Sequence, residues 1–183
     1  MSGIGEVSPV RVLIPEDEIT RRLGELAEDI SRDYEGKDLV LVCVLKGSMV
    51  FFADLARKIT TPLSFDYICV NSYGDATESA GKIELRTDLS ESVSGRHVLI
   101  VEDIVDTGRT LEYLFTLLAD RGAASLKVVA LLDKPSRRKR EVEITYRGFE
   151  IPDEFIVGYG LDYRQLYRNL PYIGALELDS PLD

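Results

Sequence analysis

Apolar residues recur along this chain in two alternating rhythms. Residues 1–9 carry no pattern, and Arg11-Val-Leu-Ile14 is a short strand. From Pro15 the spacing becomes helical, with Ile19, Leu23, Leu26, Ala27 and Ile30 forming one apolar face. Pro15 suits a first helical turn, and Glu16, Asp17 and Glu18 complement the positive end of the helix dipole. Glu35-Gly36 closes that helix. Leu39 to Leu45 is an unbroken apolar run bounded by charge, the mark of a strand covered on both faces. Lys46-Gly47-Ser48 then leads into a helical stretch from Met49 to about Ile59. Leu63 to Val70 predicts another strand, which Asn71-Ser-Tyr-Gly74 leaves. Residues 75–81 are small and polar and predict a mobile loop, after which Lys82 to Arg86 returns extended. Val98 to Val101 is a buried strand, and Leu111, Leu114, Leu117 and Leu118 give a helix that ends near Asp120-Arg-Gly122. Leu126 to Leu132, Phe155 to Tyr159 and residues 171–178 supply the remaining strands. Buried strands alternating with amphipathic helices predict a doubly wound α/β fold with a mostly parallel sheet. Ligands of such folds bind at the carboxyl edge of the strands.

A chain of 183 residues is expected to form one domain, 1–183, with a full core. Cys43 and Cys69 lie in apolar strand-like runs and read as reduced core residues of a cytosolic protein. No apolar run approaches the ~18 residues of a membrane span, so a soluble cytoplasmic protein is expected, with no membrane partner. The net charge of −10 argues against nucleic acid, whose affinity comes from neutralising phosphates. Lys134 to Arg140 is strongly basic, and most of it reads as a solvated loop.

Candidate chemistry concentrates between residues 102 and 110. Glu102 and Asp103 end a buried strand, and Asp106-Thr-Gly-Arg-Thr110 runs into a helix. A helix N-terminus offers unpaired N–H groups and partial positive charge to a phosphate. Thr107 and Thr110 add hydroxyls, Gly108 permits close backbone approach, and Arg109 adds a cation. The acidic pair cannot serve phosphate but suits ribose hydroxyls or a magnesium ion. No G-x-x-x-x-G-K-[ST] or G-x-G-x-x-G occurs, and Gly158-Tyr-Gly160 lacks the third glycine of a dinucleotide loop. His97, the only histidine, has no nucleophile beside it and reads as structural.

The stretch V-L-I-V-E-D-I-V-D-T-G-R-T resembles the phosphoribosyl-diphosphate-binding signature of the phosphoribosyltransferases, in the form found in the hypoxanthine (hypoxanthine-guanine) branch. The resemblance runs from about Val10 to Leu178, with several motifs in order. It implies the phosphoribosyltransferase fold, with a small hood from about residues 1–15 and 150–183. L-K-G-S is similar to the family's pyrophosphate loop, which assigns Lys46 and Gly47 to pyrophosphate, with Arg168 nearby; in relatives the Leu-Lys peptide there can be cis. Ser72 and Tyr73 match the start of the family's flexible catalytic loop, placed at about 72–83. Lys134 matches the donor to the purine O6, Phe155 the stacking aromatic, and Ile156 a main-chain contact to the base. Asp162 matches an acidic residue that helps hold Mg²⁺ beside the purine, alongside Glu102 and Asp103. Arg109 replaces the lysine of many relatives and Ser48 a glycine, and both leave the phosphate chemistry intact.

The resemblance implies transfer of a 5-phosphoribosyl group to N9 of a 6-oxopurine, with Asp106 as general base and Mg²⁺ as cofactor. Expected partners are the small-molecule substrates and further copies of the chain, as a homodimer or homotetramer. Two other readings stay open: a donor-binding transcriptional regulator that keeps the signature without catalysis, and a transferase for another base such as xanthine. A regulator needs a nucleic-acid surface, for which the basic run is the best case.

Overall fold

The computed structural model describes residues 9–72 and 83–177. Its elements are β1 (Val10–Ile14), α1 (Glu16–Asp33), β2 (Leu39–Leu45), α2 (Met49–Ala56), β3 (Leu63–Ser72), β4 (Ile83–Thr87), β5 (His97–Val105), α3 (Arg109–Asp120), β6 (Ser125–Asp133), β7 (Tyr146–Glu150), β8 (Ile156–Val157) and β9 (Ile173–Leu176). Six strands form the main sheet in the order β4-β3-β2-β5-β6-β7. All pair in parallel except the edge strand β4, which runs antiparallel to β3. The chain winds outward from β2 to β3 and, on the other side, from β5 to β6. The boundary between β2 and β5 is therefore the switch point of a doubly wound sheet, where the loops after the two strands open a crevice.

The unbroken apolar runs follow from burial on both faces. Leu41 and Leu99 point to the side covered by α1 and α2, where they meet Phe51 and Leu55. Their neighbours Val42 and Ile100 point to the other side, against Leu111, Leu114 and Leu118 of α3. A second, three-stranded antiparallel sheet in the order β1-β9-β8 joins the two ends of the described chain. It forms the small hood, and Arg11 of β1 ties it to Glu154 through an ion pair.

Several elements differ from the sequence expectation. β5 continues past its apolar run to Val105, so Glu102 and Asp103 lie within the strand, and Glu102 pairs in register with Ala130. The helix after Ser48 stops at Ala56, and β8 is only two residues long before the chain turns at Gly158. β7 has no counterpart in the apolar pattern. It is an edge strand with exposed or half-exposed Arg147, Phe149 and Glu150, so its apolar content never rises above its polar content. Gly148 fits there because a β-carbon would lie 2.3 Å from the Leu131 carbonyl oxygen. Tyr73 and the rest of the proposed flexible loop through residue 82 lie outside the described residues. Ser72 closes β3, and its side chain is likewise outside them.

Candidate active site

The loop after β2 and the turn after β5 meet at the switch point. The Leu45-Lys46 peptide is cis. Gly47 lies so close to β5 that a β-carbon would fall 1.6 Å from Asp103 Oδ2. Only glycine allows the acidic pair to face this loop directly. Behind it, the buried Ser48 hydroxyl donates to the Val44 carbonyl at 2.5 Å and fixes the entry into α2.

The two acids at the end of β5 occupy unequal environments. Glu102 is 8% exposed, and its Oε2 is buried without a hydrogen-bond partner. Burial, reinforced by the Asp103 charge beside it, pushes the Glu102 carboxyl well above the usual carboxylate range. Burial also pushes Asp103 up, to about 6, against the Ile104 N–H that reaches its Oδ1 at 2.8 Å. Oxygen atoms held this way, one of them orphaned, form a receptive place for a hard cation or for sugar hydroxyls.

Past β5 the chain bends at Gly108, which has φ of 81° and serves as the N-cap of α3. A β-carbon there would lie 2.6 Å from the Arg140 carbonyl, so both the left-handed backbone and the close packing call for glycine. The N-cap side chain makes no hydrogen bond to this helix, which leaves its first-turn N–H groups available to an anion. Thr107 Oγ1 lies 3.5 Å from the Arg109 N–H, a loose contact.

Most of the basic segment is exposed, as expected of a solvated loop, with Arg137, Lys139 and Arg140 on the surface, but Arg138 is not. Pro135–Arg137 form a 3-10 turn, and the chain then straps across the phosphate turn. The Lys139 and Arg140 N–H groups both donate to the Thr107 carbonyl at 3.0 Å. Arg138 is largely buried and binds the Asp106 and Val105 carbonyls. Arg137 Nε stands 3.4 Å from Asp106 Oδ1, at ion-pair distance but without hydrogen-bond geometry. A run of like charges reads as solvated from sequence because its partners, Asp133 and the 105–107 carbonyls, lie elsewhere in the chain.

The hood supplies the remaining wall. Gly158 (φ 94°) and Gly160 (φ 103°) bracket Tyr159, and a β-carbon on Gly160 would lie 2.2 Å from the Gly47 carbonyl. The Gly-Tyr-Gly pair thus packs the hood onto the Lys46-Gly47 loop rather than forming a dinucleotide site. Non-glycine residues Arg164, Gln165 and Tyr167 also have positive φ, which marks a strained turn beside the crevice. That turn carries Arg168, which ion-pairs with Asp162 at 2.5 Å and donates to the Gly160 carbonyl at 2.6 Å.

A cavity of about 350 Å³ gathers Lys46, Gly47, Glu102, Asp103, Thr110, Asp162 and Arg168. Ile104, Leu161 and Val70 also line it. These three were not singled out from sequence, where an apolar residue beside a motif looks like any core position. The cavity does not include Asp106, Thr107, Gly108 or Arg109, nor Lys134, Phe155 and Ile156. Lys134 follows β6 and is 6% exposed; its Nζ donates to the Glu154 carbonyl at 2.8 Å and lies 3.5 Å from Asp153 Oδ1. Phe155 is half-buried and meets Tyr163 edge-on at 5.3 Å, while Ile156 is buried in β8 and pairs with Ala175. Glu102, Asp103 and Asp162 share the cavity but do not converge into a three-ligand group. Among the described residues no such cluster of carboxylate, histidine or cysteine side chains occurs. His97 lies at the opposite strand end, with Nδ1 2.8 Å from Ser125 Oγ, a structural contact.

Residues 15–164 match the phosphoribosyl transferase domain. A hypoxanthine-guanine phosphoribosyltransferase of Staphylococcus aureus (strain Mu50) is 51% identical over 166 residues, covering 91% of this chain and 93% of that protein. Among solved structures, a hypoxanthine phosphoribosyltransferase from Staphylococcus aureus superposes with a TM-score of 0.88 at 51% identity, over 91% of both chains. A hypoxanthine-guanine phosphoribosyltransferase from Bacillus anthracis, with a HEPES molecule in its active site, also gives 0.88, at 42% identity over 94% of this chain and 100% of that one. With residues 15–164 matched to the domain and a relative 51% identical over 91% of the chain, the chain belongs to the phosphoribosyltransferase family.

Proposed function

We propose that the protein is a purine-salvage enzyme that moves the 5-phosphoribosyl group of 5-phosphoribosyl 1-diphosphate to N9 of hypoxanthine or guanine, giving IMP or GMP and pyrophosphate. One observation carries the reading: a free helix N-terminus, a buried acidic pair and the Lys46-Gly47 loop converge at one edge of the sheet. The curated relatives with this reaction in their names align over nearly the whole chain.

The chain's own groups divide the work. The Thr107–Thr110 N–H groups and hydroxyls hold the 5′-phosphate, with Arg109 adding charge. Glu102 and Asp103 hold the ribose diol and so fix the sugar for attack. Lys46, the Gly47 backbone and Arg168 receive the pyrophosphate as its charge develops. Asp106 takes the proton from the purine N7 as N9 attacks. Lys134, charged, donates to a 6-oxo group and has nothing to accept from a 6-amino group, while Phe155 stacks on the ring and Ile156 offers its main chain. The orphaned Glu102 Oε2, Asp103 and Asp162 would hold Mg²⁺, and Mg²⁺ keeps most of its coordination for water and substrate phosphates, so a preformed cage is not required. When bound, the ion neutralises leaving-group charge.

The protein works in the cytoplasm as a homodimer or homotetramer. Two free cysteines support the compartment, and the exposed Met49, Phe65 and Tyr67 beside Phe52 support a face for a second copy. No helix among the described residues is long and apolar enough to cross a membrane.

An absorbance assay with the sugar diphosphate, Mg²⁺ and a panel of bases tests the reading. Hypoxanthine and guanine should turn over at least roughly a hundredfold faster than adenine, the discrimination expected where a buried donor meets the wrong partner. No turnover with any purine would end the proposal. In Lys134→Ala the preference for a 6-oxo base should collapse; if it persists, Lys134 does not read the base.

A further inference from the structure

Beside the crevice lies a buried ion pair that the transfer chemistry leaves unused. Asp133, the last residue of β6, is 2% exposed. A carboxylate taken out of water needs close partners, and Asp133 has two. Arg147 Nε on β7 reaches its Oδ2 at 2.9 Å, and Arg138 binds its Oδ1.

The two arginines are not equivalent. Arg147 is half-exposed, and its other ion pair among the described residues is a loose one to Glu150, at 3.7 Å. Arg138 is largely buried, and the rest of its guanidinium is spent on the turn after β5: Nε donates to the Asp106 carbonyl at 3.0 Å and Nη2 to the Val105 carbonyl at 3.2 Å. Val105 is the last residue of β5, its carbonyl also accepting from the Lys134 N–H at 3.0 Å, and Asp106 is the first residue beyond the ladder. A planar, always-charged fork is the one side chain that can join a buried carboxylate to two carbonyls in fixed directions.

We infer that Arg138, locked by Asp133, is a positioning residue that sets where the Asp106 carboxylate stands. The inference rests on the reading of Asp106 as the base. Arg138 touches neither substrate nor reacting atom; it acts by fixing the peptide unit from which the Asp106 side chain projects. Lysine in its place still pairs with Asp133 but cannot span both carbonyls. Because proton transfer demands placement well within an ångström, a small drift of this backbone costs turnover before it costs folding.

The test is a double-mutant cycle on steady-state kinetics of IMP formation. Arg138→Lys is expected to lower kcat roughly 10–100-fold with little change in KM for the sugar donor, whereas Arg147→Lys stays within about twofold of wild type. In the Asp106→Asn background Arg138→Lys should add less than about a twofold further loss, since the group it positions is gone. Full multiplicative loss in that background, or an unchanged kcat in Arg138→Lys, overturns the inference. If Arg138→Lys melts well below Arg147→Lys, Arg138→Gln carries the same cycle. Normal turnover by Asp106→Asn removes the base assignment and this role with it while leaving the transferase reading in place, whereas an inactive wild type removes the functional reading and this role together.

Discussion

Two buried acids lie toward the carboxyl ends of neighbouring strands, and they are treated in opposite ways. Asp133 at the end of β6 is fully paired, with an arginine on each oxygen. Glu102, near the end of β5, has an oxygen with no partner. An unpaired buried carboxylate is costly, so the fold keeps one only where something else completes it. The paired acid belongs to the frame that holds the turn. The unpaired one lines the crevice, and its burial beside Asp103 raises its proton affinity.

The largest effect expected from breaking this contrast is on the paired side. Asp133→Ala leaves the buried Arg138 facing no carboxylate and should destabilise the protein by about 3 kcal/mol, read by urea unfolding. A loss under about 1 kcal/mol would mean that Arg147 and solvent already satisfy that site. Next comes Gly47→Ala, whose added carbon would collide with the Asp103 carboxylate. Titration calorimetry should show donor affinity reduced about a hundredfold, as expected for roughly an ångström of displacement, with the melting temperature little changed. Unaltered affinity would show that Asp103 can rotate away freely.

Glu102→Gln sharpens the contrast from the other side. Replacing an unpartnered buried carboxyl should leave stability within about 1 kcal/mol of wild type, or raise it, while donor affinity with Mg²⁺ falls roughly tenfold. Destabilisation by several kcal/mol would place Glu102 in the frame instead.

The smallest effect is in pH. Asp103 has a folded pKa of about 6, above the unfolded carboxylate value, and Glu102 is shifted the same way. Between those values the folded state holds more protons than the unfolded one, so stability falls as pH rises from about 4 through about 6. The ligand-free melting temperature should therefore drop over that window more in wild type than in Asp103→Asn. Equal profiles would contradict the shift.

The same contrast explains what was legible in the sequence. The acidic pair, the turn and the helix start are contiguous, so Glu102 to Thr110 could be read from local chemistry, and the alternating apolar runs gave the doubly wound sheet. What escaped depends on distant partners. Arg138 looked like one of several solvated cations because Asp133 and the Asp106 carbonyl come from other loops. Gly160 had no role readable from sequence beyond an incomplete dinucleotide loop, because its neighbour, Gly47, is over a hundred positions away. β7 was lost because an edge strand needs apolar residues on one face only. The lengths of β5 and β8 differed for a similar reason: strand ends are set by pairing partners, which hydropathy along one segment does not record.

The most direct measurement is a crystal structure with IMP bound. The phosphate should rest on the N–H groups of Thr107 to Thr110, the ribose hydroxyls against Glu102 and Asp103, and the purine between Asp106 and Lys134. A nucleotide bound with its phosphate away from that turn, and with Glu102 Oε2 still unpartnered, would contradict the account.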